Sequence, residues 1–179
     1  MKILLHACCA PCSAPILESL IKDGIVPAVF YYNPNIYPAK EYEIRRNEIA
    51  RYADKLGLEF IEGRYCHEEW LDVVKGLEKE PERGNRCLEC FKMRLAATAK
   101  VAKERGFDTF ASSLSSSRWK RLDQIDQAGM CACAAIDGVE YLAKNWRKGG
   151  LQQRRAELLK ENNFYNQLYC GCEFSIRNV

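Results

Sequence analysis

The chain alternates short apolar runs with longer segments in which apolar residues recur at helical spacing. The short runs predict strands, which we place at residues 2–7, 26–32, 59–61 and 109–114. The amphipathic segments predict helices, which we place at residues 13–22, 42–56, 70–77 and 87–105. After the fourth strand, the pattern predicts helix as far as the tail, apart from a polar turn at residues 148–150.

This alternation of strands and helices predicts a Rossmann-like α/β fold, with a parallel sheet, right-handed crossovers and a helical C-terminal part. In such sheets, ligands bind beyond the carboxyl ends of the strands. The first predicted strand runs directly into Cys8, Cys9 and Cys12. We therefore expect these cysteines to lie at the functional edge of the sheet.

Length and composition predict a single α/β domain over residues 1–179, because 47% apolar residues suffice for a buried core. No run approaches the roughly 18 apolar residues of a membrane span, and the apolar opening is too short for a secretory signal. We expect a cytoplasmic protein without a membrane partner. The net charge of +3 permits a nucleic-acid partner but does not argue for one.

Ten cysteines are many for this length, and a reducing cytosol excludes a disulfide framework as their explanation. Seven of them form three spaced groups, which favours metal binding over simple packing. The groups are Cys8, Cys9 and Cys12, then Cys87 and Cys90, then Cys170 and Cys172. A Cys-x-x-Cys pair at a helix start brings two thiolates to one ion, and the helix dipole lowers their pKa.

Seven thiolates exceed the four protein ligands that one tetrahedral ion or one cubane takes, so they imply two metal centres. If one centre takes four of these thiolates and the other takes three, the second centre has one coordination position left for another residue or for substrate. Cys66, just after the third strand, is either an eighth ligand or an ordinary thiol. The scarcity of histidine favours iron–sulfur or zinc chemistry over hydrolytic metal sites.

The remaining cysteines and the two histidines have less specific interpretations. Cys131 and Cys133 lie in a predicted helix, two residues apart, and we interpret both as packing residues. We expect His6, inside an apolar strand, to be a hydrogen-bonded core residue. His67, beside Cys66, is interpreted either as a hydrogen-bond partner of a ligand or as a surface residue.

Two other functions fit the cysteines without an iron–sulfur reaction. In the first, the thiolates bind zinc and only stabilise the fold. In the second, Cys87 and Cys90 form a thiol–disulfide oxidoreductase site, which predicts that these two cysteines alone matter.

Several motifs in order resemble the cobalamin-independent epoxyqueuosine reductase family, over nearly the whole chain. They are LHACCAPCS at residues 5–13, FYYNPNI at 30–36, VKGLEKEPE at 74–82, RCLECF at 86–91, MRL at 93–95 and YCGCEFS at 169–175. The resemblance implies an adenine-nucleotide-alpha-hydrolase-like (HUP) fold, a [4Fe-4S] cluster and an additional iron or zinc ion. It also implies the seven grouped cysteines as ligands, with their division between the centres left open.

The family's reaction removes the epoxide oxygen of epoxyqueuosine in tRNA, the last step of queuosine synthesis. The resemblance therefore implies an oxidoreductase that acts on tRNA and receives electrons from a low-potential donor such as ferredoxin or flavodoxin. Candidate catalytic residues are Tyr32, Asn33 and Glu89. Tyr32 and Glu89, together with Tyr37 and water, are the candidate proton donors.

Candidate substrate-binding residues are hydroxyl and basic side chains that suit phosphate or sugar, namely Ser113, Ser117, Lys120, Arg147 and Arg154. Further candidate RNA contacts are Arg118, Arg121, Lys148 and Arg155, with Trp119 and Trp146 as stacking surfaces. A solvated helix face with buried tryptophans explains the same residues equally well. Arg45 and Arg46 are candidates to face the pocket.

The chain departs from the family's pattern in two places. Cys66 follows Tyr65 where an aspartate is common, which would replace oxygen by sulfur at that position. The serine run at residues 112–117 stands where a threonine-rich strand end is usual. These serines are interpreted either as phosphate or sugar contacts or as a plain strand-to-helix turn with an N-cap.

Overall fold

The computed structural model describes residues 1–176, which fold into a five-stranded sheet flanked by six α-helices. The strands are β1 (Ile3–His6), β2 (Ala28–Tyr31), β3 (Phe60–Glu62), β4 (Thr109–Ser112) and β5 (Glu140–Tyr141). The helices are α1 (Ala10–Lys22), α2 (Ala39–Lys55), α3 (His67–Val73), α4 (Asn85–Arg105), α5 (Leu122–Ala134) and α6 (Leu151–Glu161). Two 3₁₀ turns occupy Ser113–Ser116 and Glu173–Ser175.

All five strands are parallel, in the order β3-β2-β1-β4-β5. The chain progresses outward in one direction from β1 to β3 and then returns to the other side of β1 with β4. This reversal creates a crevice between the carboxyl ends of β1 and β4, where ligands of doubly wound sheets bind. The expected parallel α/β architecture is confirmed.

Alternate strand residues point to opposite faces of the sheet and build two apolar cores. Leu5 and Val29 contribute to the core that also includes residues of α1, α2 and α6. Leu4 and Phe110 contribute to the other core, which includes residues of α4 and α5. Both faces are therefore covered, which explains why the strands read as continuous apolar runs rather than as alternating ones.

His6 joins the carboxyl ends of three strands. Its Nε2–H donates to Tyr32 O (3.0 Å), and its Nδ1 accepts from the Ser112 hydroxyl (2.9 Å). Burial lowers the pKa of His6 to about 3, so the ring is neutral and suits this pattern. The prediction of a hydrogen-bonded core histidine is confirmed.

The C-terminal half contains two departures from the pattern-based prediction. Residues 140–141 form the edge strand β5 instead of helix, because the backbone of β4 binds them. The fourth strand stops at Ser112, whose hydroxyl accepts from the Leu114 N–H (3.2 Å) and caps a 3₁₀ turn. The turn with an N-cap, one of the two interpretations of the serine run, is therefore present.

Cys131 is placed differently from our expectation, and Trp146 follows the interpretation that the tryptophans are buried instead of the one that they stack on RNA. Cys131 is exposed on α5, so it is not a packing residue, whereas Cys133 packs against the core. Trp146 is fully buried under the Lys144 ammonium, 4.4 Å from the ring centroid, and is unavailable for stacking on RNA. Within residues 1–176, no helix has both the length and the apolar character needed to cross a membrane.

Candidate metal centre and active site

The three cysteine groups, distant in sequence, meet at one cavity of about 350 Å³. Six cysteines line it, namely Cys8, Cys12, Cys87, Cys90, Cys170 and Cys172. Cys9 is buried beside them, and its Sγ lies 3.8 Å from that of Cys8. The structure thus brings together all seven cysteines that the spacing had singled out.

Cys8, Cys9 and Cys12 lie where β1 ends and α1 begins, with Cys9 in the N-cap position. Their three sulfur atoms are all within 4.8 Å of one another. Hydrogen bonds from Cys12 and Cys9 lower the pKa of Cys8, and the Lys120 charge and the Ser113 hydroxyl act in the same direction. The hydrogen bond that Cys12 donates to Cys8 raises the pKa of Cys12 to about 11.

Cys87 and Cys90 occupy the first turns of α4, one helical turn apart. Cys170 and Cys172 reach the same place from the C-terminal segment, and Cys90 and Cys172 share a small apolar cluster with Trp70. Burial raises the pKa of Cys87, whereas a hydrogen bond from Cys172 lowers the pKa of Cys170. A raised pKa disfavours Cys87 as the reactive thiolate of a thiol–disulfide oxidoreductase.

Arg45 fixes the C-terminal segment that carries Cys170 and Cys172. Its guanidinium donates to Tyr169 O (3.0 Å) and Cys170 O (3.1 Å), while Glu41 neutralises it at 2.7 Å. The Gly171 carbonyl accepts from the Tyr37 N–H (2.8 Å). The expectation that Arg45 faces the pocket is met, whereas Arg46 pairs with Glu62 at the surface.

Gly171 is required between the two cysteines for two reasons. Its φ of +108° is unfavourable for side-chain-bearing residues, and an added Cβ would lie 2.8 Å from Ile36 Cγ1 and 3.2 Å from Arg45 Nη1. Replacing Gly171 by Ala is expected to displace both thiols and to lower the metal content several-fold. The cost in unfolding free energy should be about 1–3 kcal/mol. Metal analysis and thermal unfolding measure both effects.

Gly149→Ala is the matched control for this substitution. Gly149 also has a positive φ, +68°, but no atom lies within 4 Å of an added Cβ. It should therefore lower stability without changing the metal content. Equal metal content in the Gly171→Ala and Gly149→Ala proteins would contradict the packing argument.

Three cations beside the thiols lack a carboxylate partner within residues 1–176. Buried Arg86 donates to the carbonyls of Leu77, Glu78 and Glu80, and buried Arg94 donates to Asn33 Oδ1 (2.6 Å) and to Cys90 Sγ (3.8 Å). Among the described residues, the Nε–H groups of both arginines have no hydrogen-bond partner. Burial lowers the pKa of Lys120, but the thiolates of Cys170, Cys8 and Cys12 outweigh it and raise the pKa overall.

Buried arginines without a counter-charge would be strongly destabilising. A thiolate-bound metal centre carries negative charge and supplies the missing partner. The donor set and its surroundings therefore fit a metal ion or an iron–sulfur cluster. Around seven neutral thiols, the same cations would lack a counter-charge.

The predicted substrate-binding residues separate into three surroundings. Ser117 and Lys120 line the cavity. Ser113 accepts from the Cys8 N–H (3.0 Å) and donates to Cys8 Sγ (3.2 Å), so its hydroxyl is engaged with the cysteine group. Arg147 and Arg154 are not among the lining residues; Arg147 donates to Lys120 O (2.6 Å) and holds that segment.

Arg154 binds three carboxylates, those of Glu18 (2.7 Å), Glu157 (3.0 Å) and Glu161 (2.8 Å), and so links α6 to α1. Because these contacts satisfy its charge, Arg154→Ala is expected to lower the Tm by about 2–4 °C and to leave tRNA affinity unchanged. Arg155 is the next residue along the helix and lines the cavity. Arg155→Ala should therefore weaken tRNA binding and leave the Tm unchanged. Thermal unfolding and a tRNA-binding titration distinguish them; weaker tRNA binding by Arg154→Ala would restore it as a substrate contact.

The candidate catalytic residues do not line the cavity. Tyr32 stacks on Phe30, and Glu89 forms an ion pair with Lys92 at 2.9 Å. Asn33 is buried and joins Ala7 O (2.9 Å) to Arg94, so it positions a cavity residue. Tyr37, the other candidate proton donor, is at the protein surface.

Cys66 lies outside the cavity, in a separate depression that His67 and Tyr37 also line. It is the N-cap residue of α3, and its Sγ is 3.7 Å from a carboxylate oxygen of Glu68. Its role as an eighth ligand stays a prediction. His67 is buried, so it is not a surface residue. Its ring nitrogens form hydrogen bonds with Pro34 O (2.8 Å) and with Oε1 of Glu173 (2.6 Å), the residue that follows Cys172.

Sequence reasoning missed two glutamines and the two buried arginines that have no carboxylate partner within residues 1–176. Gln167 donates to Cys9 Sγ (2.9 Å), and Gln124 binds the turn before α4 through Arg83 O (3.0 Å). Arg94 follows Cys90 by four residues, which places both on one face of a helix and was a detectable signal. Gln167 lies in an irregular segment, where no periodicity points to it.

Comparison with known proteins identifies the family to which this arrangement belongs. The sequence profile of epoxyqueuosine reductase QueH matches residues 3–178. The chain belongs to the epoxyqueuosine reductase QueH family. A family member from Histophilus somni is 49% identical over 99% of this chain and 73% of its own length. Members from Acinetobacter baylyi and Thermotoga maritima are 46% and 37% identical, and the matches cover 82% and 90% of their lengths.

Two solved structures share the fold of this QueH family member. A predicted tRNA methyltransferase subunit from Methanocaldococcus jannaschii has a TM-score of 0.58 at 15% identity, with 88% of this chain and 76% of that chain covered. The U34-tRNA thiolase NcsA from Methanococcus maripaludis, solved with its [4Fe-4S] cluster, has a TM-score of 0.53 at 13% identity. This match covers 92% of the chain and 58% of the thiolase. The expected adenine-nucleotide-alpha-hydrolase-like fold is confirmed.

Proposed function

We propose that the protein reduces epoxyqueuosine in tRNA to queuosine. The reaction adds two electrons and two protons, breaks both C–O bonds of the epoxide, and yields an alkene and water. The observation that carries the proposal is the convergence of seven cysteines on one cavity in a member of the epoxyqueuosine reductase family. An external low-potential donor such as ferredoxin or flavodoxin supplies the electrons, since the thiolate-bound centres hold them only transiently.

The cysteines divide into a group of three and a group of four on the basis of spacing. A tetrahedral ion with metal–sulfur bonds of about 2.3 Å separates its ligand sulfurs by about 3.8 Å. The 3.8 Å between Cys8 Sγ and Cys9 Sγ matches this value, and Cys12 Sγ is within 4.8 Å of both. Cys8, Cys9 and Cys12 would hold the single iron or zinc ion, with a fourth position open to substrate.

The remaining four thiols, from Cys87, Cys90, Cys170 and Cys172, would hold the [4Fe-4S] cluster. Two chain segments supply them. Arg86 and Arg94, which lack a carboxylate partner within residues 1–176, line the same cavity, and Arg94 contacts Cys90 Sγ. When bound, the two centres supply Lewis acidity toward the epoxide oxygen and one-electron transfer. N–H groups directed at a ligand sulfur stabilise the reduced form of such a centre.

We assign the protonation of the leaving oxygen to Lys120. It lines the cavity, and its ammonium interacts with thiolates of both cysteine groups, at Cys8, Cys12 and Cys170. The guanidinium groups around the cavity do not release protons at neutral pH. The hydroxyl of Tyr169, another lining residue, already donates to Tyr37 O (2.5 Å).

The test is anaerobic purification followed by analysis of iron, zinc and acid-labile sulfide, and by an assay with epoxyqueuosine-containing tRNA and a strong reductant. Iron, sulfide and conversion to queuosine are expected together. Zinc without sulfide and without visible colour would support the structural zinc module. A complete cluster that leaves the epoxide unreduced would contradict the proposed reaction.

A further inference from the structure

Trp119 is an unusually exposed tryptophan at the rim of the cavity. Its side chain lines the cavity, yet 70% of its surface is accessible, whereas Trp70 and Trp146 are 0% accessible. These are all the tryptophans of the chain. Single exposed apolar residues are common, but this one is at the entrance to the only cavity that contains grouped thiols within residues 1–176.

The backbone around Trp119 is held in place. The Trp119 N–H donates to Ser117 Oγ (3.3 Å), and the carbonyl of Lys120 accepts from Arg147 (2.6 Å). Packing of the preceding 3₁₀ turn is tight, because Ser113–Ser116 are buried. The indole therefore projects to solvent from a backbone that is held in place.

Basic side chains surround this indole. Arg83, Arg121 and Arg155 line the same cavity, and Arg118 is exposed beside Trp119. Asp123 pairs with Arg121 at 2.5 Å, and Glu82 also lines the cavity, so the charge of the rim is mixed but includes more cations than carboxylates. An accessible aromatic ring beside arginines is the arrangement by which proteins bind unpaired nucleotides.

The size of the cavity restricts how RNA reaches the metal site. About 350 Å³ is near the lower end of the roughly 300–1,000 Å³ found for small-molecule pockets, so it accommodates one modified base but not a loop. The target base must leave its stack to enter. Its neighbour in the loop then loses a stacking partner at the level of the rim, where Trp119 lies.

We propose that Trp119 is a stacking platform for the unpaired anticodon-loop base next to the base that enters the cavity, with Arg118 and Arg155 contacting the adjoining phosphates. This inference rests on the proposed function, because it takes the anticodon loop as the substrate. It adds a positioning residue outside the metal site. Stacking on the ring is sequence-tolerant, so Trp119 contributes affinity and register rather than recognition of one base.

The test measures binding of the metal-loaded protein to a queuosine-containing anticodon stem-loop, the reaction product, so that no turnover is needed. Trp119→Leu is expected to weaken binding about 5- to 150-fold, and Trp119→Phe should recover most of the loss because phenylalanine keeps an aromatic face. Arg118→Gln should reduce the slope of log affinity against log salt concentration by about 0.7.

Fluorescence supplies a readout that a change in folding would not imitate. Because Trp119 is the only accessible tryptophan, iodide quenching of the intrinsic fluorescence reports on it selectively. Stem-loop binding is expected to protect the wild-type protein from iodide. Unchanged quenching, or equally tight binding by Trp119→Leu, would overturn the platform while leaving the reductase proposal intact.

Two other outcomes have separate meanings. If the wild-type protein binds no stem-loop at all, the substrate assignment is wrong, and the platform with it. If Trp119→Leu binds RNA normally but slows reduction only when a reduced ferredoxin replaces a chemical reductant, the rim contacts an electron-donor protein, and the RNA platform is excluded.

Discussion

Replacing Cys90 by Ser is expected to remove most of the iron and nearly all acid-labile sulfide, whereas replacing Cys12 by Ser should remove one metal ion and retain the sulfide. The difference follows from the proposed division of the thiols between two metal centres. The sulfurs of Cys8, Cys9 and Cys12 lie within 4.8 Å of one another and suit a single ion, and the other four remain for a cubane that contains about four irons and four sulfides. Both variants should lose activity, but only the first should lose its visible absorption.

Cys131→Ser is the control, because Cys131 is exposed on α5 and is not among the residues that line the cavity. Its metal content, sulfide content and turnover should equal those of the wild type. Loss of sulfide in Cys12→Ser would show that the division is wrong. Unchanged metal content in every variant except those of Cys87 and Cys90 would favour thiol–disulfide chemistry.

Cys66→Ser tests whether Cys66, which lies apart from the cavity of the grouped cysteines, is a metal ligand. The thiol is in the depression with His67, and six of the seven grouped cysteines line the other cavity. We expect this variant to keep the metal content of the wild type. A loss of iron comparable to that in Cys90→Ser would establish Cys66 as an eighth ligand.

Spacing in the sequence was sufficient to single out the cysteines that meet at the cavity, because two of the three groups are tied to an element boundary. Cys8, Cys9 and Cys12 follow a strand that reads as apolar throughout, and Cys87 and Cys90 are one helical turn apart. Parallel topology then brings the strand ends to one edge of the sheet. Only the docking of Cys170 and Cys172 had no local signal, since Arg45 and Gly171 determine it through contacts distant in sequence.

The remaining errors have a common physical origin. β5 contains two residues, too few to show alternation, and exists because β4 offers an unpaired edge. Trp119 and Trp146 have similar sequence surroundings, with basic residues beside each, yet one is exposed and the other buried. Exposure of an amphipathic side chain depends on tertiary packing, which composition and periodicity do not specify.

The candidate proton donors illustrate the same limit. Tyr32, just after β2, stacks on Phe30 and does not line the cavity. Glu89 belongs to a motif that also contains Cys87 and Cys90, but a helix points successive residues in different directions. Glu89 consequently faces Lys92 while its neighbour Cys90 faces the cavity. Lys120 comes from a loop after β4, and only the crevice between β1 and β4 brings it to Cys8.

Lys120→Met is expected to lower turnover about 10²- to 10⁴-fold with little loss of metal, because the reaction then lacks a positioned acid for the leaving oxygen. Lys120→Arg keeps the positive charge that neighbours Cys8, Cys12 and Cys170, and so should retain metal and tRNA affinity. It should still be nearly inactive, since a guanidinium does not release a proton at neutral pH. Single-turnover rates with chemically reduced enzyme measure this step without the electron donor.

The arginine variant separates the two functions that Lys120 has been assigned. Binding to a phosphate needs only a cation, and arginine performs it at least as well as lysine. If Lys120→Arg retains more than about a tenth of wild-type turnover while Lys120→Met does not, Lys120 acts through charge alone, as the substrate contact expected from its sequence. If both variants are equally slow and bind tRNA with wild-type affinity, the proton leaves from Lys120, and the cavity contains its own acid beside the thiols.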